Sequence, residues 1–248
     1  MRKLGLLGYP LGHSFSKKYY LDKFNREHIK DIDYDLYAIE DIRDFPKLYI
    51  QDEHFYGFNV TIPHKQAVMQ YMDRLSEEAE AIQAVNCITI RRDGPTPSLT
   101  GYNTDAFGFE ESLKPMLKEN HKKALVLGNG GAAKAVFYVL EKLGISYLVV
   151  SRSKGKGDLT YADLDADIVR DHQLIINCSP VGTFPNIDEA PQIPYAYIGT
   201  AHLLYDLIYN PEETLFLRKG RENGAMTKNG YEMLLLQAEK NWEIWNNA

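Results

Sequence analysis

Cysteine is scarce in this chain. Cys87 and Cys178 are the only two in 248 residues, and they lie in unrelated segments. That excludes a disulfide framework and any cysteine-spaced metal site. Both sit in short apolar runs and read as buried structural thiols. Histidine, aspartate and glutamate form no ligand-spaced cluster either, so no metal is expected. No uninterrupted apolar run approaches about 18 residues, which excludes a membrane-spanning helix. Basic residues are not in excess. Lys and Arg total 28 against 34 Asp and Glu, a formal charge of −6. Neither nucleic acid nor an anionic membrane is favoured as a partner, and a site for an anionic ligand must gather basic groups locally. There is no internal repeat and no low-complexity segment. Met1-Arg2-Lys3-Leu4-Gly5 passes directly into a strand pattern and is no signal peptide, so the expected compartment is the cytoplasm.

Apolar residues make up 44% and charged residues 25%, a balance that supports a sizeable core in one large or two modest domains. In the first half, strands at Leu4–Leu7, Tyr34–Ile39 and Gly57–Ile62 alternate with helices. The helices are expected around Tyr20, Leu21, Phe24 and Ile29, over Ile42–Ile50, and over Ser76–Ala84 with Ser76 as cap. Val85–Ile90 and Leu99–Tyr102 flank Asp93-Gly94-Pro95-Thr96-Pro97 as a hairpin. This half is therefore a mostly parallel sheet with an antiparallel edge.

A helix is expected from Asp105 to about Glu119. Ala124-Leu125-Val126-Leu127 then runs into Gly128-Asn129-Gly130-Gly131-Ala132-Ala133, a helix to Leu143 closed by Gly144, and a strand over Ser146–Val150. Strands at Leu174–Cys178 and Leu203–Tyr209 and helices at Pro211–Glu222 and Tyr231–Trp245 complete a βαβ dinucleotide-type unit. The fold class is α/β with two domains. An N-terminal, mostly parallel sheet domain spans residues 1–104 plus 231–248, the last helix folding back onto it. A Rossmann-like domain spans residues 105–230, with an interdomain active-site cleft.

Gly128 permits a tight turn, Gly130 lets backbone approach a pyrophosphate, and Ala132 and Ala133 keep the helix close to the strand. The helix N-terminus offers N–H groups and a positive dipole to phosphate. An NAD site usually carries Asp or Glu at the end of the next strand. Here Ser151-Arg152-Ser153-Lys154-Gly155-Lys156 has no carboxylate before Asp158, which favours the 2′-phosphate of NADP. A solvated basic loop is the plainer alternative.

In Gly57-Phe58-Asn59-Val60-Thr61-Ile62-Pro63-His64-Lys65, apolar and polar residues alternate, and Pro63 suits the first position of a helix. Lys65 then falls in the first turn, where the macrodipole disfavours its charge, as proton-transfer chemistry requires. His64, its neighbour, points to another side, and His13 reads as structural. Asp105 in Gly101-Tyr102-Asn103-Thr104-Asp105 is either an N-cap or a carboxylate facing Lys65. Ser14 and Ser16 can grip a carboxylate from an extended loop, unless Ser16 only caps a helix starting at Lys17.

These motifs, in this order, resemble shikimate dehydrogenases from end to end. The resemblance rests on Gly8-Tyr9-Pro10 through His13-Ser14-Phe15-Ser16, Asn59 through Lys65, Ala84-Val85-Asn86, Asn103-Thr104-Asp105 and Gly128 through Ala132. It continues in Tyr205-Asp206-Leu207-Ile208-Tyr209-Asn210-Pro211 and in Asn229-Gly230-Tyr231-Glu232-Met233-Leu234 with Gln237.

The resemblance implies reversible reduction of 3-dehydroshikimate to shikimate with NADP, in chorismate and aromatic amino acid biosynthesis. It implies Lys65 and Asp105 as the catalytic pair, and Ser14 and Ser16 on the substrate carboxylate. Thr61, Asn86, Tyr209 and Gln237 would hold the ring hydroxyls and pocket. Gly128, Asn129, Gly130, Gly131 and Ala132 would hold the pyrophosphate, and Ser151, Arg152, Ser153 and Lys156 the 2′-phosphate. Leu207 and Gly230 would lie near the nicotinamide, and Glu77 would contact cofactor. The expected partner is a small molecule, and the protein a monomer or homodimer.

Two alternatives stay open: an NAD-using quinate/shikimate dehydrogenase and a non-catalytic sensor of shikimate or NADP. The chain departs from the family pattern at Lys17, where proline is usual, and at Ser151-Arg152-Ser153, where Asn-Arg-Thr is common. The segment from Gly155 to Gln173 is also short, as if a crossover helix were truncated.

Overall fold

Alternating strands and helices build two sheets of six strands each. The computed structural model describes residues 1–12 and 14–247; the reading of His13 lies outside the described residues. The chain divides into two compact units. One holds Met1–Thr104 and Gln237–Ala248, the other Asp105–Leu236.

The first unit contains β1 (Arg2–Gly8), α1 (Phe15–Arg26), β2 (Ile32–Ala38), α2 (Phe45–Gln51) and β3 (Phe55–Val60). β4 (Arg74–Leu75), α3 (Glu77–Ile82), β5 (Cys87–Arg91) and β6 (Ser98–Tyr102) follow. The sheet order is β2-β1-β3-β5-β6-β4. β1 runs parallel to β2 and β3, while β3–β5 and the β5–β6 hairpin are antiparallel.

Period-two alternation distributes the side chains of this sheet. Leu7, Phe58 and Val60 pack on one face with Phe45 and Tyr49 of α2. Leu4 and Leu6 pack on the other with Tyr20 and Phe24 of α1 and with Ala238 and Trp245 of the last helix. With helices on both faces, Asn59 is buried rather than solvated.

The second unit contains α4 (Thr104–Leu113, entered from the first unit), β7 (Lys123–Leu127), α5 (Gly131–Lys142), β8 (Ser146–Ser151) and β9 (Leu159–Thr160). α6 (Ala166–Asp171), β10 (Leu174–Asn177), β11 (Leu203–Asp206), α7 (Leu215–Glu222) and β12 (Met226–Lys228) follow. α8 (Tyr231–Asn247) begins in this unit and ends in the first. The sheet is wholly parallel, in the order β12-β11-β10-β7-β8-β9. Strand order reverses between β7 and β10, the switch point at which doubly wound sheets bind ligands.

Several expectations need correction. No α-helix follows β3. Residues 62–66 form turns and Ala67–Tyr71 a short 3-10 helix. The Lys65 carbonyl accepts from Val85 N–H at 2.7 Å instead of serving a helix, so the dipole argument for Lys65 does not apply. α4 stops at Leu113 rather than near Glu119, because Pro115 lacks an N–H and opens a 3-10 turn. Ile29 lies beyond α1, β11 ends at Asp206, and α7 starts at Leu215, capped by Thr214, rather than at Pro211. The crossover after β8 is short but keeps the six-residue α6, and β4, β9 and β12 are strands too brief to leave a sequence pattern. Among the described residues no helix is long and apolar enough to cross a membrane, and no group of His, Cys, Asp and Glu could hold a metal ion.

Candidate active site

In the first unit the polar residues are joined by one buried relay. Tyr34, fully buried on β2, donates its hydroxyl to Asn59 Oδ1 at 2.8 Å. Burial pushes the Tyr34 phenol well above its usual range, and a hydrogen bond with the Ser16 side chain opposes that shift. Asn59 Nδ2 donates to the Asn86 carbonyl at 3.4 Å. The Asn86 side chain closes a double contact on Thr104. Its Oδ1 accepts the Thr104 N–H at 2.8 Å and its Nδ2 donates to Thr104 Oγ1 at 3.0 Å. Thr104 in turn donates its hydroxyl to Asn241 Oδ1 at 2.6 Å, and Asn241 Nδ2 donates to Gln237 Oε1 at 3.0 Å. Three expected substrate residues, Ser16, Asn86 and Gln237, are thus tied together. Tyr34, Asn59, Thr104 and Asn241 are the supports. Asn241 gave no sequence signal, because an asparagine on a C-terminal helix looks like surface.

Lys65 is half-buried, and its carbonyl bond to Val85 N–H sets it one residue from Asn86. Thr61 is anchored by its N–H to the Leu7 carbonyl at 2.9 Å. His64 is buried and its Nε2 lies 2.6 Å from the Ile39 carbonyl, a structural contact.

At α1 the cap is Ser14 rather than Ser16. The Lys17 N–H donates to Ser14 Oγ at 3.3 Å, a bond that proline at this position could not make. Ser16 lies in the first turn. Asp105 is likewise not an N-cap: α4 begins at Thr104 and Asp105 sits in its first turn, in the second unit. Tyr209 also belongs to the second unit and is exposed. Glu77 is exposed in the first turn of α3, where the helix dipole favours a carboxylate without any ligand.

In the second unit a groove of about 1030 Å³ opens at the carboxyl ends of β7, β8 and β10. Gly128, Asn129, Gly130, Ser151 and Arg152 line it, as expected from the sequence. Lys154, Tyr161, Ser179 and Pro180, each just after a strand end, line it as well, and that place was the available signal; Lys219 of α7 also lines it and gave none. Cys178 also forms part of the wall and is half-buried, not a core thiol; burial pushes its thiol well up.

Gly128 adopts φ +104°, which few residues other than glycine tolerate. No side chain caps α5 at Gly130, and a Cβ built on Gly130 or Gly131 meets nothing within 4 Å. The amide-bearing start of α5 therefore faces open space, as a phosphate requires. The Ser151 hydroxyl is turned inward to the Ser153 carbonyl at 2.7 Å, and Asn129 Nδ2 donates to the Lys156 carbonyl. Gly131, Ala132, Ser153 and Lys156 do not line the groove, and neither do Leu207 and Gly230. Leu207 and Gly230 meet each other: a Cβ on Gly230 would collide with the Leu207 carbonyl oxygen.

One buried carboxylate organises the loops beyond β10 and β11. Asp206, wholly buried, accepts from Thr214 Oγ1 at 2.6 Å, Asn177 Nδ2 at 3.0 Å and Ile208 N–H at 3.1 Å. Burial raises its pKa to about 6 despite these three donors.

Known proteins resemble this chain along its whole length. A family model for the shikimate dehydrogenase substrate binding domain matches residues 6–88. A curated relative from Caldanaerobacter subterraneus subsp. tengcongensis, named shikimate dehydrogenase (NADP(+)), is 34% identical across 97% of this chain and 90% of its own length. The chain belongs to the shikimate dehydrogenase family. Another relative of that name, from Methanococcus maripaludis, is 35% identical over 98% of this chain and 91% of its own. Among solved structures, the shikimate 5-dehydrogenase of Thermus thermophilus in complex with NADP(H) and shikimate superposes with a TM-score of 0.85. It has 28% identity and covers 100% of this chain and 94% of that one. The fold class is that of the family: an α/β protein with a substrate domain and a Rossmann-like domain.

Proposed function

We infer that this chain is an NADP-dependent oxidoreductase that interconverts 3-dehydroshikimate and shikimate, a step toward chorismate and the aromatic amino acids. The observation that carries this reading is the full-length likeness to relatives named shikimate dehydrogenase (NADP(+)). The residues present fit it. The uncapped start of α5, with Gly128 through Ala132, would hold a pyrophosphate, and Arg152 a 2′-phosphate, with Ser151, Ser153 and Lys156 in the same loop. Lys154 stands beside Arg152 in the groove wall and joins that set. Leu207 and Gly230 would border the nicotinamide. Glu77 is the weakest member, since the dipole of α3 already accounts for it.

NADP, when bound, supplies or accepts the hydride. Lys65 gives a proton to the oxygen that becomes the hydroxyl during reduction and takes it back during oxidation, with Asp105 as its catalytic partner. Ser14 accepts the Lys17 amide through a lone pair, which leaves its hydroxyl proton to donate to the substrate carboxylate. Ser16, whose hydroxyl meets the Tyr34 phenol, would turn its proton to that carboxylate when substrate binds. Thr61, Asn86, Tyr209 and Gln237 hold the ring hydroxyls.

The test is one absorbance assay of reduced cofactor, crossing shikimate or quinate with NADP or NAD. Turnover with shikimate and NADP, and far less with the other pairs, is expected. Preference for NAD or quinate would support the quinate/shikimate alternative, and binding without turnover the sensor. The same reading makes the protein cytoplasmic and a monomer or homodimer, which sedimentation of the pure protein distinguishes.

A further inference from the structure

We propose that Asn241 is the positioning residue that decides which end of the Gln237 amide faces the substrate. The inference rests on the functional reading above, which puts a substrate ring hydroxyl at Gln237.

The directions of the bonds from Asn86 to Gln237 follow from one unambiguous donor. A backbone N–H can only donate, so the Thr104 N–H at 2.8 Å identifies its partner on Asn86 as the oxygen. The other end of the Asn86 amide is then nitrogen, and it donates to Thr104 Oγ1 at 3.0 Å. A threonine hydroxyl has one proton. Asn86 Oδ1, 3.1 Å from that hydroxyl, is already served by the Thr104 N–H, so the proton goes to the nearer oxygen, Asn241 Oδ1 at 2.6 Å. Asn241 is fully buried, and its Nδ2 also donates to the Tyr20 hydroxyl, whose own proton goes to the Ala238 carbonyl, so the amide cannot turn without losing its partners. Its nitrogen therefore faces Gln237, one helical turn earlier on α8, and meets Oε1 at 3.0 Å. Gln237 is held by its oxygen, so under the functional reading its NH₂ group is the end that turns toward the substrate. The ring hydroxyl that it meets must accept a hydrogen bond.

The decisive variant is Asn241→Asp. A buried carboxylate still accepts from Thr104 but cannot donate to Gln237, so the glutamine turns its nitrogen inward and its oxygen to the pocket. The KM for shikimate should rise about tenfold or more while the KM for NADP stays within about twofold. The defect should shrink as pH falls, because a protonated carboxyl donates to Gln237 Oε1 again. Asn241→Leu, which cannot titrate, should show the KM defect without that recovery, and thermal melts of both variants separate these effects from unfolding.

An unchanged shikimate KM in Asn241→Asp, an equal rise for both substrates, or a defect indifferent to pH would overturn the inference while leaving the enzyme assignment standing. A wild-type protein that fails to reduce NADP with shikimate would overturn the functional reading itself, and with it the substrate placed at Gln237.

Discussion

Trp245 stands directly on Gly57. A Cβ built on that glycine would collide with the indole Nε1, which donates to the Ile88 carbonyl at 2.9 Å. The end of α8 thus closes one face of the first sheet through a contact that only a residue without a side chain permits. The same ring lies 5.4 Å from Tyr20 of α1, so one indole joins helix to sheet and helix to helix.

Gly57→Ala is therefore expected to lower stability by about 1–3 kcal/mol, the usual cost of overpacking a filled core. Urea unfolding of the variant against wild type measures it. A stability within error of wild type would mean that α8 yields more easily than this packing implies.

Lys65→Ala should lower kcat by about 10²–10⁴-fold, the range for losing a general acid–base group. The shikimate KM should change far less, because the carboxylate and ring hydroxyls keep Ser14, Ser16, Asn86 and Gln237. Steady-state kinetics in the oxidative direction decide it; normal turnover by this variant would remove Lys65 from the chemistry.

Arg152→Ala should raise the KM for NADP about 10-fold or more and leave that for NAD nearly unchanged, since only the former carries the 2′-phosphate. A parallel rise for both cofactors would point instead to a general role of the loop in shaping the groove.

Asp206 makes stability depend on pH with an unusual sign. Its folded pKa, raised to about 6 by burial, exceeds the ordinary carboxylate value of 3.8. Between those values the folded state holds the proton more tightly than the unfolded chain. This group's contribution is therefore most favourable below about pH 4 and is lost as pH rises through 6, by about 3 kcal/mol. Asp206→Asn should abolish that slope. Denaturant melts of both proteins at intervals from pH 4 to 7 would show it, and identical slopes would contradict it.

Part of this protein was legible in its residues alone. Gly128 through Ala133 after an apolar strand declared the phosphate turn, because tight backbone approach and a free helix start need glycine and alanine wherever they occur. The Ser76 cap and the β5–β6 hairpin were legible for the same reason: their chemistry is complete within a few residues. The stretch after β3 misled, since Pro63 and Lys65 satisfy the local rules for a helix start. In the folded chain the Lys65 carbonyl is claimed by Val85, twenty positions away, and the helix does not form. The cap of α1 falls to Ser14 rather than Ser16 because a cap depends on where the first turn closes.

Sequence by itself determined the α/β class, the dinucleotide-type turn, the basic loop at Arg152 and the family resemblance. These are short-range patterns or ordered motifs, and each survives without knowledge of the fold. Tertiary structure alone decided that Asn59, Asn86, Thr104, Asn241 and Gln237 form one polarised relay, that Asp206 is buried among three donors, and that Gly57 exists to seat Trp245. Each of those partnerships spans the chain or depends on burial. Hydrogen-bond direction and desolvation are properties of atoms brought into contact, which no spacing along the backbone records.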